Sequence, residues 1–331
     1  MISPRHRISL SLAGRLLGRP RPAIWLNYLK YKRAIRRVRE NGPDELAFAP
    51  PSAVIWATAR CNKDCVFCHY HGELNPDDYE DWELSLERFE EIIRHAPVAT
   101  AVRICLYGGE PLLNRDLFRM VRAGRRGGHL MTVNTNGLLI KDRLDELLAD
   151  PPDLLSISYY PEDRAALAEA VPLVAREILV RMIFLLSKET LDAVPDVLAL
   201  AAGTGVRSVC FEHLCPTDTA VDRAIDDDDP LLARLKVEMN AAYGERLAIR
   251  WPEPAPEASC RFFWNSLFVN ARGQTSPCCV WPMSTYQGDL FGDDAVWNGA
   301  RITELRRQMR TGDFPPHCRT CRYLYDDPLG I

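Results

Sequence analysis

The chain has 331 residues, of which 47% are hydrophobic and 26% charged, with a formal net charge of −4. That length and balance suit a soluble protein with one large domain and a smaller one, and they give no sign of a nucleic-acid partner. No apolar run approaches the roughly eighteen residues that a membrane span needs, and the first twenty residues lack the unbroken apolar core of a secretory signal. Eleven cysteines without an export signal point to a reducing cytoplasm and metal binding rather than disulfides.

The charge is uneven, with a strongly basic segment over residues 1–50 and an acidic remainder. Residues 1–22 read as a short helix and a turn, broken by Gly14, Gly18, Pro20 and Pro22. From Ala23 to Arg39, the residues Ile24, Tyr28, Tyr31, Ile35 and Val38 recur at three- and four-residue steps, as on one helix face. Such a basic amphipathic helix can lie on an acidic membrane surface, but docking on its own domain is the favoured reading. Asn41-Gly42-Pro43-Asp44 marks a linker.

Short apolar runs then alternate with amphipathic stretches. Strands are expected over 53–57, 102–106, 130–134, 154–158, 178–184 and 207–212, with helices near 86–95, 116–125, 141–149, 163–170 and 191–202. Regular alternation of this kind implies βαβ units and a parallel sheet. Six units fall short of the eight in a full barrel, so the expectation is a partial (β/α)6 TIM-like barrel over residues 51–250. The polar motifs follow the strands, at the end where parallel barrels carry their active sites. Residues 217–231, with the run Asp226–Asp229, read as an acidic loop leading into a helix start. Trp251-Pro252-Glu253-Pro254-Ala255-Pro256 reads as a stiff linker, with a small C-terminal auxiliary-cluster domain over 255–331.

The most informative stretch, Arg60–Cys68, follows the first strand with the spacing C-x3-C-x2-C. Three local thiols without a fourth would leave one iron of a cluster open to substrate, since iron–sulfur clusters ordinarily take four thiolates. Zinc prefers paired C-x2-C units and fits this triplet poorly. The spacing, with Phe67 before the last cysteine, resembles the signature of the radical SAM superfamily. That resemblance implies a [4Fe–4S] cluster on Cys61, Cys65 and Cys68, its open iron chelating S-adenosylmethionine beside Phe67. Gly108-Gly109-Glu110-Pro111, after the second strand, resembles the family's GGEP element, which contacts the methionyl ammonium. Its glycines would allow backbone to approach a ligand closely. By position, Ser158 is a candidate for the cofactor's ribose or carboxylate and Arg181 for its carboxylate. Where the family often continues the fourth strand with an acidic residue and glycine, this chain has Tyr159-Tyr160.

Beyond the linker, Cys260, Cys278 and the pair Cys318 and Cys321 supply four thiols, a complete shell for either [4Fe–4S] or tetrahedral zinc. A hairpin-like turn lies between 266–269 and the next segment. Gly288-Asp289-Leu290, Val296-Trp297-Asn298, Leu305-Arg306 and Pro316-His317-Cys318 resemble the auxiliary-cluster extension called SPASM, or its shorter form, twitch. That resemblance implies one auxiliary [4Fe–4S] cluster. The shorter pattern looks most like the radical SAM dehydrogenases of aminocyclitol antibiotic pathways. Of the remaining thiols, Cys105 and Cys210 read as core residues, while Cys215 and Cys279 are candidate hydrogen-atom donors.

The implied chemistry is reductive cleavage of S-adenosylmethionine to a 5′-deoxyadenosyl radical, which removes hydrogen from a small molecule resembling a sugar or aminocyclitol. Dehydrogenation or epimerisation would follow, making the chain an oxidoreductase. Glu212, His213 and Lys188 are candidates for taking the accompanying proton. A peptide substrate is the alternative, and a non-catalytic metal-binding module the alternative of another class. An electron donor such as flavodoxin or ferredoxin is the expected partner.

Overall fold

Each apolar run of the central region forms a strand, and the strands line up in the order in which they occur. The computed structural model describes residues 3–19, 21–65, 68, 82–214, 223–226, 228–252, 260–278, 288–292 and 295–319. Two helices lead, α1 (Pro4–Leu17) and α2 (Pro22–Asn41). There follow β1 (Ser52–Trp56), α3 (Leu86–Arg94), the short α4 (Ala96–Ala99), β2 (Arg103–Tyr107), α5 (Leu117–Arg126), β3 (Leu130–Thr135) and α6 (Leu144–Ala149). Next come β4 (Leu154–Ser158), α7 (Arg164–Val174), β5 (Val180–Leu186), α8 (Val194–Thr204), β6 (Ser208–His213), α9 (Pro230–Tyr243) and β7 (Ala248–Arg250). The last described elements are α10 (Phe262–Asn265), β8 (Ser266–Val269), β9 (Gln274–Ser276), β10 (Gly288–Asp289), α11 (Ala300–Thr311) and α12 (Pro316–Arg319).

Strands β1 to β7 are parallel and adjacent in chain order, as short right-handed crossovers favour. Among the described residues the sheet does not close, so the architecture is the expected α/β partial barrel. Two features go beyond the expected six strands. A short seventh, β7, pairs with β6. On the other side β8 pairs in parallel with β1, and β9 and β10 continue antiparallel, so the described sheet has ten strands. Backbone hydrogen bonding thus joins the segments on either side of the expected linker.

Burial alternates along β5, with Val180, Met182, Phe184 and Leu186 buried and Arg181, Ile183 and Leu185 only partly so. One sheet face therefore packs under helices while the other faces the barrel interior. That interior face is the inside of the partial barrel, and by the strand register Arg181 on β5 shares it with Arg103 and Cys105 on β2. On the helix side, Phe89, Ile92 and Ile93 of α3 and Met120 and Val121 of α5 are buried. Asp229 caps α9, accepting from the Leu231 and Leu232 amides at 2.9 and 3.0 Å, so part of the acidic run is a helix start.

The N-terminal helices cover the end of the barrel opposite the polar loops. Ile24, Tyr28, Tyr31 and Val38 are buried, which is the expected docking of α2 on its own domain. Asn27 holds the segments before β1 and β2 together: its Nδ2 donates to the Ala49 and Thr100 carbonyls, each at 3.1 Å. Arg19 makes a two-point ion pair with Asp153, at 2.6 and 2.7 Å, just before β4. Asp153 is only 1% exposed and also accepts from the Met131 amide, so its charge is compensated, as a buried carboxylate requires.

Candidate active site

The cysteine loop leaves the C-terminal end of β1 and is held from three neighbouring strand ends. From the end of β3, Asn136 donates to the Asn62 side chain at 2.6 Å. From the turn after β4, Asp163 and Glu162 bind the Lys63 ammonium at 2.6 and 3.1 Å. That ammonium lies 4.3 Å over the Tyr160 ring, within cation–π range. The Tyr160 hydroxyl sits 3.6 Å from Cys65 Sγ. Inside the loop, the Lys63 amide donates to Cys61 Sγ and the Cys68 amide to the Cys65 carbonyl. Burial raises the Cys61 thiol, the Lys63 amide opposes that, and the charges of Glu110, Cys68 and Cys65 raise it further.

The loop after β2 closes onto this segment. Gly108 has φ +102°, and a β-carbon there would meet the Thr58 carbonyl oxygen at 2.8 Å. At Gly109 it would meet the Arg60 carbonyl oxygen at 2.1 Å. The close approach these glycines allow is thus to the chain's own backbone, immediately before Cys61. The Glu110 amide donates to that Arg60 carbonyl at 2.7 Å. The Glu110 side chain is fully buried and accepts three hydrogen bonds, from Thr135 Oγ1, the Asn136 amide and the Leu112 amide, at 2.7, 2.7 and 2.9 Å. Burial raises its carboxyl and those three donors lower it in part. Glu110 ties the ends of β2 and β3 together beneath the cysteine loop, and Pro111 opens the short helical turn that follows it.

The interior face carries a second polar group. Arg181 donates to Ser156 Oγ at 2.8 Å, one pleat below Ser158 at the end of β4. Cys210 Sγ lies 3.9 Å from Glu212 Oε1. Burial raises the Glu212 carboxyl, while Arg181 and Arg250 pull it back. Burial also pushes the Cys210 thiol up to about 11. His213, adjacent on β6, is buried and points to the opposite, helix-covered face by strand alternation. Lys188 is exposed beyond β5. Glu212 is therefore the one of these three that shares the interior face with Arg181.

Residues 57–160 match the radical SAM superfamily, and residues 260–322 match the SPASM iron–sulfur cluster-binding domain. The chain carries a radical SAM domain followed by a SPASM domain. Its radical SAM domain implies a [4Fe–4S] cluster and S-adenosylmethionine, and its SPASM domain implies an auxiliary iron–sulfur cluster. The probable GTP 3′,8-cyclase of Methanothermobacter marburgensis is 34% identical over 106 residues, which are 32% of this chain and 33% of that one. The corresponding protein of Saccharolobus solfataricus is 37% identical over 114 residues, 33% of this chain and 35% of its own. The chain thus spans about a third of the length of the curated relatives it matches. Among solved structures, Streptococcus suis SuiB bound to precursor peptide SuiA has a TM-score of 0.65 at 13% identity, covering 88% of this chain and 73% of that one. The protein anSMEcpe with bound AdoMet has a TM-score of 0.63 at 15% identity, covering 82% and 88%. At those identities the likeness is one of fold.

Within this radical SAM fold the donor chemistry suits a multi-iron cluster. Cys61, Cys65 and Cys68 are free thiols on one short loop, and thiolate is the ligand type that iron–sulfur clusters take. In the SPASM segment, Cys260 precedes α10, Cys278 follows β9 and is buried, and Cys318 lies in α12. The motif residues nearby brace the linker before β1. Trp297 donates to the Phe48 carbonyl at 2.7 Å, Asn298 pairs with the Leu46 backbone in both directions, and buried Arg306 donates to the Asp44 and Phe263 carbonyls. Phe67, Cys215, Cys279 and Cys321 lie outside the described residues. The contributions of Tyr160 and Arg250 were not legible in the sequence. The Tyr159-Tyr160 departure from the family pattern was the available signal for the first. Nothing local marks Arg250, which ends a strand of three residues.

Proposed function

We propose that this enzyme binds its catalytic [4Fe–4S] cluster through Cys61, Cys65 and Cys68 and oxidises a small polar substrate in the mouth of the open barrel. The auxiliary cluster is assigned to Cys260, Cys278, Cys318 and Cys321. When bound, the first cluster and S-adenosylmethionine supply a 5′-deoxyadenosyl radical able to remove hydrogen from an unactivated C–H bond. The chain's own residues then position and exclude, since the cofactor carries the hard chemistry. Gly108, Gly109, Glu110 and Pro111 shape the methionyl side of the site, with Ser158 and Arg181 below it. The carrying observation is that Arg181, Ser156, Glu212 and Arg250 share the interior face, a polar floor suited to a hydroxylated or charged small molecule. Glu212 is assigned as the proton acceptor, because burial makes it more basic than an ordinary carboxylate. Cys215 and Cys279 stand as candidate hydrogen-atom donors for an epimerisation, and a small reduced protein such as flavodoxin or ferredoxin as the electron source.

A peptide substrate is the second reading, supported by the fold shared with SuiB, whose structure holds the precursor peptide SuiA, and by a sheet that does not close among the described residues. Anaerobic turnover in heavy water separates the possibilities. Candidate aminocyclitols and sugars are expected to lose two electrons without gaining deuterium at carbon. Deuterium at the reacting carbon would replace oxidation by epimerisation, and turnover of peptides alone would replace the small-molecule reading.

A further inference from the structure

We propose that Tyr160 donates a hydrogen bond to the sulfur of Cys65 and thereby sets the reduction potential of the catalytic cluster, with Lys63 holding the phenol in place. This rests on the assignment of Cys65 as a cluster ligand. The two atoms lie 3.6 Å apart, a sulfur hydrogen-bond distance. As a ligand Cys65 is a thiolate and has no proton to give, so the bond can run only from the phenol. A tyrosine phenol ordinarily keeps its proton at neutral pH, so it is available as the donor. The ring is fixed from its face by the Lys63 ammonium at 4.3 Å. Asp163 and Glu162 fix that ammonium in turn, and all four contacts arise from two short segments, 60–65 and 160–163.

Hydrogen bonds to the sulfurs are among the determinants of cluster potential. A donor on a ligand sulfur withdraws negative charge and favours the reduced state. Tyr159, next in the chain, points the other way and hydrogen-bonds to Asp196, so one residue of the pair serves the cluster loop and the other the helix side.

The test is an anaerobic redox titration of the reconstituted full chain, followed by EPR. The first cluster's signal is the one that changes shape on adding S-adenosylmethionine. Tyr160→Phe is expected to retain iron and sulfide but shift the midpoint to lower potential. A tenfold fall in the ratio of reduced to oxidised cluster at a fixed potential corresponds to 59 mV for one electron. Tyr159→Phe is the control for general disturbance of the loop and is expected to leave the midpoint unchanged. An unchanged midpoint in Tyr160→Phe, or an equal shift in both variants, overturns the proposal. Should Tyr160→Phe fail to hold the cluster, the unsubstituted chain grown on tyrosine with a 17O hydroxyl decides. A hyperfine coupling from that oxygen to the reduced cluster is expected, and its absence overturns the hydrogen bond. The underlying ligand assignment fails separately, if the unsubstituted chain shows no S-adenosylmethionine-responsive signal at all.

Discussion

The two cysteine sites are built in different ways. Cys61, Cys65 and Cys68 share one short loop, and side chains from the ends of β3 and β4, with backbone from the end of β2, brace it. Cys260, Cys278 and Cys318 stand on three separate segments, ahead of α10, after β9 and in α12. The first site is prepared by local sequence and a ring of hydrogen bonds, whereas the second depends on long-range assembly. Metal binding in such a site is folding free energy for the segments it joins. A ligand lost from the first site should therefore abolish chemistry with little unfolding, and one lost from the second should loosen the C-terminal segment.

The largest expected effect that sharpens this contrast comes from Cys318→Ala. Iron and sulfide after reconstitution should fall by about half, from two clusters to one. Formation of 5′-deoxyadenosine should continue while substrate oxidation drops to background. Coupled loss of both would show that the sites are not independent.

Next is Arg19→Met, which strips the buried Asp153 of its two-point partner at the opposite end of the barrel. Breaking a buried pair typically costs about 3–5 kcal/mol, and Arg15, 3.6 Å from Asp153, keeps the expectation at the lower end of that range. A urea titration would show the midpoint falling with an unchanged slope, while the EPR spectrum of the first cluster stays the same.

A pH-dependent effect is expected at Glu212. As a base it must be ionised, and its carboxyl lies above the ordinary range. The rate of substrate oxidation should thus fall as pH drops through that raised pKa, at a less acidic pH than a solvated carboxylate would give. Glu212→Gln should lower kcat by about 10²–10⁴-fold at the optimum and remove this inflection. An inflection that survives the substitution would assign proton transfer to another group.

Much of this fold was legible because β1 to β4 are buried on both faces over most of their length, and so read as apolar runs bounded by helices. The C-x3-C-x2-C spacing needed no three-dimensional information, and the apolar stripe of Ile24, Tyr28, Tyr31 and Val38 announced a docking face. What it docks on could not be read, because Asn27 and Arg19 reach segments distant in sequence. The parallel pairing of β8 with β1 was hidden for the same reason: strand order is a long-range choice. β7 has too few residues for a periodicity. At Gly108 and Gly109 the need for close approach was visible, but the partner, the Thr58–Arg60 backbone, was not. Glu212 and His213 read as equals along the chain, and only the pleat of β6 separates them.

The central claim is that three sulfurs of one loop leave an iron vacant for S-adenosylmethionine. The direct measurement compares the reduced, reconstituted chain with Cys65→Ala by EPR, before and after adding S-adenosylmethionine. In the unsubstituted chain one cluster signal should change shape on addition, and methionine and 5′-deoxyadenosine should accumulate. In Cys65→Ala both responses should vanish while the auxiliary signal persists. An S-adenosylmethionine-dependent spectral change and continued cleavage in Cys65→Ala would contradict the account.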